Sequence, residues 1–255
     1  MPAPVNLFKQ NLLEGKRQIG SWIGLADAFA AEISATAGFD WLVIDGEHSP
    51  NDLRSIMRQL QALAVYDVPA VVRLPKGEEW IIKQTLDAGA QTLLIPMVES
   101  GEQAKRLVEA IKYPPEGIRG VGSALARASA FAGIADYLPT ANAQTCLVVQ
   151  VESRAGVAAL DDILAVDGVD GVFLGPSDLA ADMGYLGKPG TPIVQETVLA
   201  AIEKVVAAGK AAGILTTDKA LLDKAEAAGA SFLAVGIDVT LLANGLRALA
   251  ASYKA

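Results

Sequence analysis

The stretch Trp41-Leu42-Val43-Ile44-Asp45-Gly46-Glu47-His48-Ser49-Pro50-Asn51-Asp52 decides the fold. Its first four residues are apolar without alternation, and an acid and a glycine end the run. The period then changes: Leu53, Ile56, Met57, Leu60 and Leu63 recur at helical spacing, so a buried strand leads into a helix with one apolar stripe. The helix is expected over 50–65. Ser49 stands where a cap belongs, Pro50 suits a first turn, and Asp52 completes a capping-box-like spacing. A strand apolar on both faces belongs in a parallel sheet covered on both sides.

The same unit repeats outward in both directions. Runs rich in Val, Ile and Leu lie at 19–24, 70–74, 92–98, 146–152, 171–175, 212–216 and 232–236. Helical patterns fall between and after them, at 27–38, 78–89, 100–112, 157–166, 194–208, 218–228 and 239–253. Eight strand–helix units in 255 residues predict an α/β fold, a (β/α)8 TIM barrel forming one domain over 1–255. An open doubly wound sheet is the alternative, although that architecture rarely needs eight uniform units. Gly38, Gly89 and Gly229 precede strands where a helix needs a left-handed stop. The segment 113–145, with Pro114-Pro115 and several glycines, reads as an elaborated functional loop.

Composition removes several chemistries. The net charge of −8 argues against nucleic acid as a partner. One cysteine, Cys146, rules out an internal disulfide and a Cys-rich zinc site; opening a strand, it packs as a small hydrophobe. One histidine, His48, rules out a three-His metal site, so any imidazole acid–base chemistry must use it. The first 18 residues lack the apolar run of an export signal, and no run is long enough to span a bilayer. A cytoplasmic protein with no membrane partner is the expectation.

Barrel enzymes carry their chemistry at the C-terminal ends of the strands. Here that rule selects Asp45-Gly46-Glu47-His48, Arg73, Gln150-Val151-Glu152 and Gly175-Pro176-Ser177-Asp178. Glu152 and Asp178 form the candidate metal pair, two carboxylates leaving room for water and substrate oxygens around Mg²⁺, Mn²⁺ or a similar cation. The plainer reading is that each caps the helix after it. Arg73 is suited to a substrate carboxylate or a developing oxyanion, or else to an ion pair with a neighbouring strand-end acid. His48 is a candidate general base, or an ordinary polar residue at a loop start. Gln150 shares a face with Glu152 by the strand period, to orient a substrate oxygen or to fill the barrel. Gly120-Val121-Gly122 follows no strand and Gly187-Lys188 lacks the rest of a phosphate loop, so nucleotide motifs are absent. Lys76 lies in a loop, which disfavours a Schiff base.

The chain resembles the HpcH/HpaI aldolase family of metal-dependent (class II) pyruvate aldolases, in its 4-hydroxy-2-oxoheptanedioate aldolase branch. The matching segments are Trp41–His48, Val71–Arg73, Gly117–Ser129, Val149–Glu152 and Gly171–Tyr185, in order over most of the chain. The resemblance implies a barrel of the phosphoenolpyruvate/pyruvate type and reversible cleavage of a 4-hydroxy-2-oxoacid to pyruvate and an aldehyde. It implies Mg²⁺, Mn²⁺ or Co²⁺ on Glu152 and Asp178, and pyruvate fixed by Gln150 and the backbone at Ser177 and Asp178. Arg73 would stabilise the enolate, His48 would act as acid and base, and Asp87 would increase the basicity of the histidine. Asp87 falls near the end of a helix, far from its own strand tips, so that role would need a neighbouring subunit; the family habit is a trimer or hexamer. Aromatic catabolism is the implied setting. Ser49, Ser177 and Ala130-Phe131 depart from the expected pattern, which touches acceptor preference more than catalysis. Arg119 and Arg127 are placed to meet a distal carboxylate or to be surface charges, and the role of Asp45 stays open. Two other readings keep the barrel: a phosphoenolpyruvate-type lyase or transferase, and a non-catalytic ketoacid-binding protein.

Overall fold

In the computed structural model, which describes residues 1–254, eight parallel strands close in sequence order into a barrel. They are β1 (Gln18–Ile23), β2 (Trp41–Asp45), β3 (Ala70–Arg73), β4 (Thr92–Ile95), β5 (Cys146–Val151), β6 (Gly171–Leu174), β7 (Ala211–Leu215) and β8 (Phe232–Ile237). The TIM-barrel expectation holds and the open sheet is excluded, since β8 pairs back onto β1.

The helices are α1 (Leu7–Leu13), α2 (Ala28–Ala35), α3 (Leu53–Leu63), α4 (Glu79–Asp87), α5 (Gly101–Ile111), α6 (Tyr137–Gln144), α7 (Arg154–Ala158), α8 (Leu160–Leu164), α9 (Pro176–Asp182), α10 (Pro192–Ala207), α11 (Lys219–Ala227) and α12 (Asp238–Ser252). Three expectations need correction. The helix over 50–65 starts later: Asp52 is its cap, accepting from the Ser55 N–H, while the Ser55 hydroxyl accepts from the Asp52 N–H. Ser49 instead turns back to donate to the Asp45 carbonyl at 2.5 Å. The helix over 157–166 is two short helices, α7 and α8, the first capped by Ser153. The segment 113–145 is not all loop, because α6 and a short 3-10 turn at Arg127–Ser129 lie within it. Gly38, Gly89 and Gly229 do take positive φ at their helix ends, as the local stop requires.

Two cores follow from the two faces of each strand. Ile44, Val72, Leu93, Val149, Val172 and Leu233 face the helices in the larger one. The barrel interior holds Trp22, Trp41, Val43, Val71, Val148, Phe173 and Phe232, joined from below by Phe8 of α1. The Phe8 ring lies 5.3 Å from Trp41 and 5.7 Å from Phe232. Gly20 and Gly213 admit these rings, for a Cβ on either would strike Trp41 or Phe232. Cys146 is fully buried in this core, as expected. No helix among the described residues is long and apolar enough to cross a membrane. None of the residues of α12 is buried, and Leu241, Leu242, Leu246 and Leu249 are exposed on it.

Candidate active site

Polarity begins where the interior packing stops. Two positions beyond Val43, Val71, Val148 and Phe173, the strand period places Asp45, Arg73, Gln150 and Gly175 on the same inward rows. They surround a cavity of about 490 Å³ at the C-terminal mouth, whose polar wall is Asp45, His48, Arg73, Gln150, Ser177 and Asp178. Trp22, Phe173, Leu215 and Ile237 supply the apolar wall.

Register explains the first pair. Asp45 and Arg73 are direct partners on β2 and β3, so both reach the mouth at one level. The Arg73 Nε donates to Asp45 Oδ1 at 2.8 Å and Nη2 to Oδ2 at 2.7 Å. Nη1 lies 2.8 Å from Glu47 Oε2, and the guanidinium stands 5.3 Å from the centre of the Trp22 ring. The ion pair with a strand-end acid is therefore present, while Arg73 also keeps a place on the cavity wall. Asp45 also organises the turn that follows: its Oδ1 accepts the N–H of Glu47 at 2.9 Å and of His48 at 3.4 Å. Gly46 must be glycine because a Cβ would stand 2.6 Å from the Arg73 carbonyl.

His48 is exposed at the rim, its Nε2 3.9 Å from Glu47 Oε1. Glu47, to which the sequence alone assigns no role, stands between Arg73 and His48. Burial pushes its carboxyl up, opposed by Arg73 and His48. Its place two residues past Asp45, in the same strand-end turn, marks it as near the mouth but not as the partner of Arg73.

Glu152 and Asp178 are not helix caps. Ser153 caps α7, and Asp178 lies inside the first turn of α9 with no cap bond from its side chain. Glu152 is 2% exposed and sits behind the cavity wall. Its Oε1 accepts the Met97 N–H at 3.0 Å and its Oε2 accepts from the Gln150 amide. Met97 delivers that N–H from a left-handed conformation, φ 53°, which a non-glycine residue adopts only when its surroundings impose it. Burial pushes the Glu152 carboxyl up to about 6, with Asp178 and Glu47 adding repulsion.

These features fit a divalent cation. Glu152 is buried beside the cavity against Gln150, whose Oε1 is buried without a partner among the described residues. Gly175 also leaves a space beside the Glu152 carboxylate that a Cβ would fill. A cation would offset the cost of keeping the Glu152 carboxylate charged where it is buried. Among the described residues no three of His, Cys, Asp and Glu form a ready-made metal cluster, so Glu152 and Asp178 would be two protein ligands of a site completed by other oxygens. The Ser177 and Asp178 N–H groups lie in the first turn of α9, where the helix offers no acceptor.

Asp87 is not brought to this mouth. It ends α4, and its Oδ1 accepts from Arg119 Nη2 at 2.6 Å. Arg119 and Arg127 line a separate cavity of about 350 Å³, bordered by the N-terminal segment and α6. Neither reaches the catalytic mouth of its own barrel.

The strand tips of this closed β/α barrel thus carry an arginine, an imidazole and paired acids, the layout of a barrel enzyme's active site. The chain belongs to the HpcH/HpaI aldolase/citrate lyase family, whose model matches residues 18–245. It is 63% identical over 254 residues to the hydroxypyruvate/pyruvate aldolase of Agrobacterium fabrum, covering 100% of this chain and 96% of that one. It is 54% identical over 250 residues to the 4-hydroxy-2-oxo-heptane-1,7-dioate aldolase of Salmonella paratyphi B, covering 98% and 95%. A crystal structure of a family member from Burkholderia cenocepacia superposes with a TM-score of 0.93 at 40% identity, over 98% of this chain and 100% of that one. The chain is an aldolase, a carbon–carbon lyase.

Proposed function

We propose that this aldolase works by class II chemistry, reversibly cleaving 4-hydroxy-2-oxoacids to pyruvate and an aldehyde with a divalent cation (Mg²⁺, Mn²⁺ or Co²⁺) on Glu152 and Asp178. The observation that carries the reading is the gathering of Asp178, Gln150, Arg73 and His48 around one cavity, with Glu152 directly behind it. Glu152 and Asp178 would hold the cation, which when bound would supply Lewis-acid stabilisation of negative charge on the ketoacid. Arg73 faces the same charge with a guanidinium that Asp45 holds in place. Gln150 and the free N–H groups of Ser177 and Asp178 orient the carboxylate end of the substrate. His48, at the rim, takes the proton from the 4-hydroxyl as the C3–C4 bond breaks and returns one to the pyruvate fragment.

Two observations favour this reading over its alternatives. Among the described residues no lysine lines the cavity, and Lys76 is exposed and paired with Glu78, so a Schiff base has no candidate there. Arg73 is the single Lys or Arg on that wall among the described residues and already faces two acids, which leaves little cationic capacity for a phosphate.

We further infer a cytoplasmic homo-oligomer, a trimer or hexamer. Exposed leucines on α12 and exposed Ile118, Val121, Leu125 and Phe131 on the long segment are apolar surface of the kind that a subunit interface covers. His48 has no carboxylate from its own chain nearer than Glu47, and Asp87 has no reacting group near it. In the proposed assembly Asp87 of one subunit serves His48 of another.

Chelation provides the test. EDTA should abolish pyruvate release from a panel of 4-hydroxy-2-oxoacids, Mn²⁺ or Mg²⁺ should restore it, and borohydride with pyruvate should leave the protein unmodified. Full activity in metal-free protein, or a trapped pyruvate adduct, would overturn the class II assignment.

A further inference from the structure

We propose that Arg119 is a positioning residue for the aldol reaction: clamped on Tyr113, its guanidinium fixes one oxygen of Asp87 and aims the other outward, toward a second subunit. This rests on the shared-site reading of Asp87 given above. The Arg119 side chain is 1% exposed and that of Asp87 is 26% exposed. The guanidinium lies 4.3 Å over the Tyr113 ring, and the Arg119 N–H donates to the Lys112 carbonyl at 2.9 Å. Ring, backbone and carboxylate thus restrain the arginine from three sides.

Stability does not account for the arrangement. A buried guanidinium with one carboxylate partner is poorly compensated, and the Arg119 Nε has no acceptor at all. Asp87 closes α4, the helix end at which a negative charge is disfavoured. An apolar side chain at 119 and a neutral one at 87 would cost the fold less. What the pair does achieve is direction. With Oδ1 held by Arg119, Oδ2 is left beside Gly122, where even a Cβ would stand 3.6 Å away. Asp87 is 26% exposed, so that oxygen is within reach of a second chain. In the segment that carries Arg119 and Gly122, Ile118, Val121 and Leu125 are exposed, apolar surface for a second copy of the chain to cover.

The experiment uses the purified full-length enzyme with Mn²⁺ and compares Arg119→Met, Asp87→Asn and the double variant. Arg119→Met fills the buried volume without charge and leaves Asp87 in contact with water, so the fold should survive. Loss of aim should lower kcat for cleavage roughly 100-fold, while KM for the oxoacid stays within about threefold because pyruvate and cation are held by the other barrel residues. The pH profile should change in the same sense as for Asp87→Asn, and the double variant should be no slower than the slower single one. Should Arg119→Met aggregate, Arg119→Lys, which keeps the charge and loses the fork, should show the same coupling. Additive losses in the double variant, or a melting-temperature drop with kcat within twofold of wild type, would overturn the proposal. Mixing His48→Ala with Asp87→Asn subunits separates it from the reading beneath it. Restored activity with additive Arg119 losses removes the positioning role alone. No restoration, with the Arg119–Asp87 coupling intact, removes the shared site and with it the outward aim proposed for Asp87.

Discussion

Gly175 serves the site through the side chain it lacks. A Cβ there would strike the Glu152 carboxylate and stand 3.3 Å from the Gln150 amide. Its own φ of −104° is open to any residue, so a substitution would act by collision and not by backbone strain. Gly175→Ala should lower cleavage activity at least tenfold and weaken cation affinity, with about 1–3 kcal/mol of overpacking cost to stability. Activity and Mn²⁺ affinity within twofold of wild type, measured by kinetics and calorimetry, would show that the space is not needed. At this scale the sequence was enough to place His48, Arg73, Gln150 and Asp178 at the barrel mouth and Glu152 beside them, because strand ends can be counted. It did not reveal Glu47 as the link between Arg73 and His48, since which of two nearby acids bends inward depends on the turn that Asp45 builds. Asp87 was reachable by resemblance alone, because nothing in its helical pattern points to a site outside its own barrel.

Among the elements, α1 had no signal of its own. Seven residues are too few to show a helical period, and the helix is specified by its anchorage instead. Asn6 is 3% exposed. Its Oδ1 accepts the Lys9 N–H at 3.0 Å to cap α1, and its Nδ2 donates to the carbonyls of Gln91 and Gln144 and to the Thr92 hydroxyl. One side chain therefore ties α1 to β4 and to the end of α6. Asn6→Ala removes a cap and strands buried acceptors, and should cost about 2–4 kcal/mol in urea unfolding. A loss under about 0.5 kcal/mol would mean that Phe8 alone holds the helix in place. The strands and longer helices were legible because eight repeats of one hydrophobic rhythm reinforce one another. Their boundaries were less so: α3 begins at Leu53 because Asp52 and Ser55 cap each other, a choice that Ser49 and Pro50 obscured.

For the molecule as a whole, Cys146 is an internal reporter. Burial pushes its thiol well above the ordinary range, with Asp170 adding to the effect. A thiol held neutral by the fold stabilises it relative to the unfolded chain up to the unfolded pKa. That contribution is progressively lost as pH rises beyond about 8.5. At pH 8 an aromatic disulfide reagent should label the native protein no faster than the barrel opens, and should label it fully in urea. Rapid stoichiometric labelling without denaturant would contradict a closed interior. The interior is closed most firmly at the α1 end, where Phe8, Trp41 and Phe232 interlock beneath the polar layer. That seal turns the barrel into a vessel with a single mouth. In the proposed reaction the fragment seated on the strand tips lies behind the fragment nearer the rim, and both must leave the way they came. In that reaction the aldehyde would depart first and pyruvate second, an order imposed by the closed aromatic floor and the single depth axis it leaves.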